Sequence, residues 1–452
     1  MKKSAKIHMS VAAVFTYQNS VFIIRRQPYL LAFPGYHSFP GGKVDKDDSG
    51  FSFHTQFLEK YDPTLMRALC REIKEEVHFD LEEAIQSNVV SDFSELGVAI
   101  GPPFLPHRFH THFFRVQLKS RIDFTMDSSE AEWSGWQALR DCMEQYYQGE
   151  VLIALPTWNV IKALAEKPDV RKLGMLHVEY DPEAEVPCLE FVHKMFQIPV
   201  LSHTLPPAER TNAFIIGDPS DGSYLIDPSP SSEKELKRLL QTLAAFEITG
   251  IFLTHHHPDH HEFSNQLAEL LKVPVQMSND TYHRIVSKHG AVYFKDLEVQ
   301  IAHEGDILTR WLGKDIRVYE IPGHDEGQLG LAPVSMEWFL VGDLIQGIGT
   351  VVIGQPEGNM AKYFVTLERI IRLDPKVIIP SHGIPMRTTT RLKAALKHRK
   401  MRENQVLQCY QDGKTKDQTL AEIYHDIDPR LLPAAMKNIE SHLIKLKEEQ
   451  RL

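Results

Sequence analysis

The sequence predicts an α/β protein of several domains, and three observations carry that expectation. At 452 residues the chain exceeds what one hydrophobic core usually organises, which allows two to four domains. Short apolar runs of the buried-strand kind alternate with amphipathic helical stretches along most of its length. From about residue 391 the pattern becomes purely helical. A hydrophobic content of 42% with 24% charged residues is that of a soluble globular chain.

The first element is a strand. MKKSAKIHMSVAAVFTY has a short apolar stretch broken by His8 and Ser10, with no cleavage signal after it, so a strand over 8–16 is expected rather than a leader. A second strand spans 20–26. FPGGKV then turns the chain. LMRALCREIKEEVHF follows as an amphipathic helix with Met66, Leu69, Ile73 and Val77 on one face. Glu72, Glu75 and Glu76 gather on the adjacent polar face. By itself REIKEE reads as a solvated acidic face.

Together with the glycine turn, REIKEE resembles the Nudix box of diphosphate hydrolases. The resemblance implies an α/β/α sandwich over residues 1–167. It makes Glu72, Glu75 and Glu76 ligands of Mg²⁺ or Mn²⁺, with Glu76 also the catalytic carboxylate. Arg71 is expected to brace the loop through a salt bridge. Two departures stand out: an insertion separates Gly42 from Arg71, and His78 stands where the box ends in glycine. LPHRFHTHFFRVQL and SSEAEWSGWQAL resemble a coenzyme-A-diphosphatase-like branch, which would make Glu130 or Glu132 a further ligand or base. A Nudix fold without catalysis would instead bind a nucleotide or CoA as a regulatory module.

KPDVRKLGMLHVEYDPEAEVP is polar and proline-bearing and reads as a linker, placed at 168–188. The next domain is expected over 189–390. Its centre is ITGIFLTHHHPDHHEF, where an apolar strand ends in five histidines and an aspartate. His255 and His257 point the same way if the backbone stays extended, which turns His256 away. Asp259 and His260 follow after Pro258. An amphipathic helix is expected from Glu262. Further on, IPGHDEGQLGL, FLVGDLI and VIIPSHG deliver His324, Asp343 and His382, each after an apolar run or tight turn.

These motifs resemble the metallo-β-lactamase superfamily, in its β-lactamase-like-2 and glyoxalase-II-like branches, over roughly residues 190 to 390. The resemblance implies an αββα sandwich with TNAFIIGDPSDGSYLIDPSP as an opening hairpin and Asp227 near the site floor. One metal would take His255, His257 and His324. The other would take Asp259, His260 and His382, with Asp343 bridging. A water between two zinc ions is the expected nucleophile, with Asp259 its orienting group or proton acceptor. Iron or manganese are the alternative metals. The diiron electron-transfer branch carries Glu at the position of His257, so the histidine here favours hydrolysis.

The tail, 391–452, reads as three helices, with KAALKHRKMRENQVLQCYQ first and RLLPAAMKNIESHLIKLKEE last. It resembles the winged-helix-like C-terminal module of the β-lactamase-like-2 branch, with no β-wing before the last residue. Lys393, Lys397, Arg399, Lys400 and Arg402 form the notable basic patch.

The function expected is therefore a metal-dependent hydrolase of an ester, thioester or phosphodiester, joined to a Nudix domain acting on nucleotide or CoA diphosphates. Its partner would be a small molecule. Because some members of the β-lactamase-like-2 branch cleave single-stranded RNA, endoribonuclease activity is the alternative. The formal net charge of −10 offers no bulk basic field for nucleic acid or membranes. No run approaches the length of a membrane helix. The four cysteines are scattered without a CxxC pair, which points to a reducing, cytoplasmic setting.

Overall fold

The computed structural model describes residues 6–50, 53, 55 and 57–452. Residues 1–5 of the N-terminal segment, and residues 51, 52, 54 and 56 of the insertion after Gly42, lie outside the described residues. The chain divides into two compact units, Met1–Tyr180 with Leu189–His193, and Asp181–Cys188 with Lys194–Leu452.

The first unit is built on one mixed sheet. Its strands run His37–Ser38, Ser20–Arg26, Ile7–Tyr17, Arg108–Leu118, Val90–Ile100, Gly174–Met175, and Ala131–Ala138 pairs with Ser20–Arg26. Strand alternation sends Val11, Ala13, Phe15, Phe22 and Ile24 to one face, where they meet Met66, Leu69 and Ile73 of the Pro63–Val77 helix. Ala12, Val14, Val21 and Ile23 face the other way, onto Trp158, Ile161 and Leu164. Layers of helix, sheet and helix result.

The Pro63–Val77 helix is capped by Asp62, whose carboxylate accepts from Thr64 N at 2.8 Å and Leu65 N at 3.3 Å. It stops at His78, which takes a left-handed φ of 53°. A helix end of this kind favours glycine, and the histidine fills it at some conformational cost. The stretch expected as a linker is partly structural. Gly174–Met175 pairs with Val90–Ile100, and Leu173 N–H donates to Leu96 O. Leu176 is buried and Leu173 packs beside it, so two leucines in a polar stretch hold this chain to the sheet.

In the second unit two sheets stack. One orders its strands Val299–Ile301, Val275–Met277, Ile248–Phe252, Ser223–Ile226, Arg210–Ile216, Met195–Leu201. The other orders Ile307–Trp311, Lys314–Glu320, Leu329–Pro333, Phe339–Gly342, Val377–Pro380, Met386–Arg387. Helices Glu233–Leu243, Ser264–Leu271 and Asn279–His289 cover the first sheet, and Met360–Leu373 covers the second. Leu329–Pro333, Phe339–Gly342 and Val377–Pro380 are buried at every residue, as strands covered on both faces must be. Asn212 pins the sheets together, with its backbone N–H on Ser381 O and its side chain on Gly383 O, each at 2.8 Å.

The tail forms helices Thr390–Gln411, Lys416–Ile423 and Leu432–Glu448 around Val406, Cys409, Ile423, Ile439 and Leu446. Among the described residues no strand follows Met386–Arg387. The expected basic patch is largely engaged. Arg399 is buried and bonds Val351 O, Arg402 lies over the Tyr424 ring and bonds Ile423 O, and Lys400 pairs with Glu368. No helix among the described residues is long and apolar enough to cross a membrane. All four cysteines are free thiols.

Candidate metal centre

The strand Ile248–Phe252 ends at the edge of the second unit's core, and the next residues carry the chemistry. His255 and His257 lie on one side of the chain, with His255 Nε2 3.0 Å from His257 Nδ1. Pro258 then opens a single helical turn, Pro258–His261, which swings Asp259 and His260 to an adjacent position. The turn does not continue into the expected helix from Glu262. Phe263 adopts a left-handed φ of 61°, and the helix begins at Ser264. The break leaves the His261 carbonyl free to accept the Tyr293 hydroxyl at 2.6 Å.

The distant ligand candidates converge on the same point. His324 Nε2 lies 3.0 Å from His257 Nδ1, completing a trio of ring nitrogens with His255. His382 Nε2 lies 3.5 Å from Asp259 Oδ2, completing a second trio with His260. Asp343 stands between them. Its Oδ2 is 3.8 Å from His324 Nε2, while its Oδ1 is 3.6 Å from His260 Nε2 and 3.3 Å from His382 Nε2. Two donors about 2.0–2.1 Å from one tetrahedral zinc lie roughly 3.3–3.4 Å apart, so donors at these separations are close enough to hold a cation between them.

A second test comes from satisfaction of polar atoms. His260 Nε2, His382 Nε2 and Asp343 Oδ1 are buried and make no hydrogen bond of normal geometry. Buried polar atoms left this way require an explanation, and a bound cation supplies one. The other nitrogen of each histidine is held by the protein. His255 Nδ1 meets Thr254 Oγ1 at 3.0 Å, His260 Nδ1 meets Asp227 at 2.8 Å, and the Nδ1 atoms of His324 and His382 donate to Val352 O and Arg210 O, each at 2.9 Å. His257 differs by turning Nδ1 inward, with Nε2 3.6 Å from Glu357 Oε2. Outer partners of this kind fix ring orientation and tautomer in metal sites.

The electrostatics divide the trios. Burial, reinforced by neighbouring imidazoles, pushes His255 well below the usual histidine range and His324 to about 4. Those rings stay neutral with lone pairs available. In the second trio burial opposes charge, but the carboxylates outweigh it and hold His382 up at about 10 and His260 well above its ordinary value. Burial likewise works against Asp259, yet His260 and His382 hold it down at about 2. This pocket is arranged to stabilise positive charge.

His256 lies outside both trios. Its Nδ1 is 2.6 Å from Asp325 Oδ2, and its Nε2 is 3.6 Å from Glu357 Oε1. Sequence reasoning had no signal for Asp325 or Glu357, nor for Thr254 and the carbonyls of Val352 and Arg210.

In the first unit the carboxylates of Glu72, Glu75 and Glu76 are only partly gathered. Glu76 is buried and accepts from Gly41 N–H at 2.8 Å. Burial, then the nearby Glu72 and Glu130, push its pKa up to about 8. Glu72 lies over Gly42, where an added Cβ would fall 2.3 Å from its carboxylate. Arg71 holds Asp48 through two nitrogens, at 3.1 and 2.9 Å, and also Lys43 O. Its third nitrogen contacts Glu72 at 2.9 Å and Glu75 at 3.3 Å. Glu132 is paired with Arg25 at 2.5 Å, whereas Glu130 is only 3.9 Å from Arg26. Among the described residues the three helical glutamates do not form one ligand trio.

Comparison with known proteins follows the same outline. The Metallo-beta-lactamase superfamily model matches residues 206–382, and the Beta-lactamase associated winged helix domain model matches 415–452. A Beta-lactamase-like protein 2 homolog of Drosophila melanogaster is 29% identical over 157 residues, 34% of this chain and 51% of its own length. A Hydroxyacylglutathione hydrolase of Wigglesworthia glossinidia brevipalpis is 31% identical over 130 residues, 29% of this chain and 45% of its own. The chain thus spans about half the length of these curated relatives. A crystal structure of a Beta-lactamase domain protein from Burkholderia ambifaria matches with a TM-score of 0.50 at 20% identity, covering 60% of this chain and 90% of that one. The chain carries a metallo-β-lactamase domain and, behind it, a winged-helix domain.

Proposed function

We propose that the second unit is a dinuclear, zinc-type hydrolase whose substrate is a small-molecule thioester or ester. The observation that carries this reading is Asp343, which turns one oxygen to each of two donor trios. His255, His257 and His324 would hold one ion, and Asp259, His260 and His382 the other. Imidazole-rich donors suit zinc, with iron and manganese as the alternatives that metal analysis separates. Two such ions supply an acidified water and stabilise the oxyanion that forms when it adds to a carbonyl. Asp259, whose carboxylate His260 and His382 hold ionised at neutral pH, would be placed to orient a water or accept its proton there.

A thioester is preferred over RNA on two grounds. The similar Hydroxyacylglutathione hydrolase is named for an acyl-glutathione substrate. Arg399 and Arg402 bond backbone carbonyls within the fold, which takes two cations of the tail patch out of the surface that phosphate binding needs. We assign the first unit, over the proposed domain 1–167, a Nudix-like role in which Glu72, Glu75 and Glu76 take Mg²⁺ or Mn²⁺ and act on a nucleotide or CoA diphosphate. The packing of Glu72 and Glu76 against the Gly41–Gly42 turn supports it. A reducing, cytoplasmic setting accords with four free thiols.

The test is His255→Ala in the full chain. The ion assigned to His255, His257 and His324 is lost and acyl-thioester hydrolysis falls to background, while the first unit keeps its unfolding transition. Undiminished turnover by that variant overturns the assignment. Salt-sensitive binding of single-stranded RNA by the parent protein would favour the nuclease instead.

A further inference from the structure

We propose that the C-terminal helices are part of the metal centre's support, with Arg399, Asn438 and Ser441 acting as positioning residues for His324. The inference rests on the dinuclear reading above. His324 Nδ1 donates to Val352 O, so the placement of that one carbonyl sets the plane of the ring whose Nε2 faces His257 and Asp343. Val352 belongs to a stretch between Phe339–Gly342 and Met360–Leu373 that has no helix or strand of its own. Backbone groups in such a stretch need partners from elsewhere.

The tail provides them on both sides of Val352. Arg399, from the Thr390–Gln411 helix, donates to Val351 O. Asn438 and Ser441, one helical turn apart on Leu432–Glu448, take both polar groups of the next residue. Ile353 N–H donates to Asn438 Oδ1 at 2.9 Å, and Ser441 Oγ donates to Ile353 O at 2.7 Å. None of the three side chains sits in solvent: Arg399 is 4% exposed, Asn438 6% and Ser441 2%. Their bonds are therefore unscreened and hard to replace by water.

A second strap reaches the bridging carboxylate. The Arg399 guanidinium lies over the Tyr363 ring, 5.7 Å from its centroid, and the Tyr363 hydroxyl donates to Leu344 O at 2.8 Å, next to Asp343. The tail thus holds the backbone beside two of the centre's ligands without supplying a ligand itself. Outer partners of metal ligands are worth on the order of 10–100-fold in affinity.

The experiment titrates metal-free, full-length protein with Co²⁺ alone, following its d–d absorption, and measures Zn²⁺ affinity by chelator competition. Ser441→Ala and Asn438→Ala are expected to weaken one of two ions by about 10-fold and to alter its Co²⁺ spectrum, leaving the other ion in place. Ser441→Thr, which keeps the hydroxyl, restores both. Leu446→Ala loosens the tail core without touching Val351 or Ile353, so it lowers the unfolding temperature and leaves both affinities alone. In the metal-free protein, Asn438→Ala speeds hydrogen exchange at the Ile353 amide. Parent-like binding by Ser441→Ala and Asn438→Ala overturns the positioning role while the dinuclear reading stands. Equal weakening by Leu446→Ala also overturns it. A parent protein that binds neither ion removes the dinuclear reading itself.

Discussion

Asp227 accepts the His260 Nδ1 proton at 2.8 Å and, through the same oxygen, the Thr254 hydroxyl at 2.6 Å. Because Thr254 Oγ1 lies 3.0 Å from His255 Nδ1, one buried carboxylate braces a histidine from each trio. The two routes differ in length, direct to His260 and relayed to His255. Asp227→Asn is expected to weaken both ions by on the order of 10–100-fold. Thr254→Val, which keeps the shape and removes the relay, weakens the His255 ion alone. Metal titrations of the two variants that gave the same pattern would sink this division of labour.

The residues gathered at the centre stand at the ends of apolar runs, in THHHPDHH, IPGHD, FLVGD and VIIPSHG. Strand-end chemistry is local, so a sequence displays it. Their supports are not local. Glu357 reaches His257 from a segment with no recognisable pattern, and the Val352 and Arg210 carbonyls are backbone atoms that any residue type would offer. The layered fold of each unit was legible for the same reason, since alternation along 11–15 and 21–24 divides two cores residue by residue. The edge strand at Gly174–Met175 was not, because two leucines in a polar stretch carry it. The break at Phe263 was hidden by an unbroken amphipathic pattern that tertiary contacts at His261 and Tyr293 override.

Gly41 and Gly42 are expected to respond differently to an added methyl. At Gly41, φ is +144° and a Cβ would fall 2.2 Å from Val11 O, against backbone that cannot move aside. Gly41→Ala should therefore destabilise the first unit by about 1–3 kcal/mol or more. At Gly42 the obstacle is the Glu72 carboxylate, the far end of a side chain. Gly42→Ala should cost little stability while displacing Glu72 and weakening Mn²⁺ binding. Thermal unfolding of the first unit and Mn²⁺ titration separate the two effects, and a Gly42→Ala protein with parent-like Mn²⁺ affinity would contradict the proposed ligand role of Glu72.

Whether the first unit is an enzyme or a sensor is decided at Glu76. Removing a catalytic carboxylate from a working diphosphatase costs orders of magnitude in rate, so Glu76→Gln should abolish release of phosphate products from CoA or nucleotide diphosphates. Glu130→Gln, changing a carboxylate whose nearest cation is Arg26 at 3.9 Å, is expected to have a smaller effect. If the parent protein binds these diphosphates without cleaving them, the regulatory reading replaces the catalytic one.

Glu403 gives the tail a defined response to acid. Its carboxylate is 5% exposed and takes Lys445 at 2.9 Å, Arg451 at 2.6 Å and His442 at 3.4 Å. Burial works to raise its pKa, but His442, Lys445 and Arg451 outweigh that and hold it at about 2, against 4.5 for the free group. A group whose pKa is depressed by folding adds stability that is complete above the unfolded value and lost as pH falls through the folded one. The Glu403 contribution is therefore intact above pH 4.5 and disappears progressively towards pH 2. Glu403→Gln leaves Lys445 with Glu449, at 2.8 Å, as its remaining anion, so the loss at neutral pH should stay below the about 3–5 kcal/mol of an uncompensated buried charge. That cost should shrink as the medium is acidified, since the parent loses the same interaction. Denaturant unfolding of both proteins between pH 7 and about pH 2 measures the difference, and a constant gap across that range would show that Glu403 is not ionised in the folded tail.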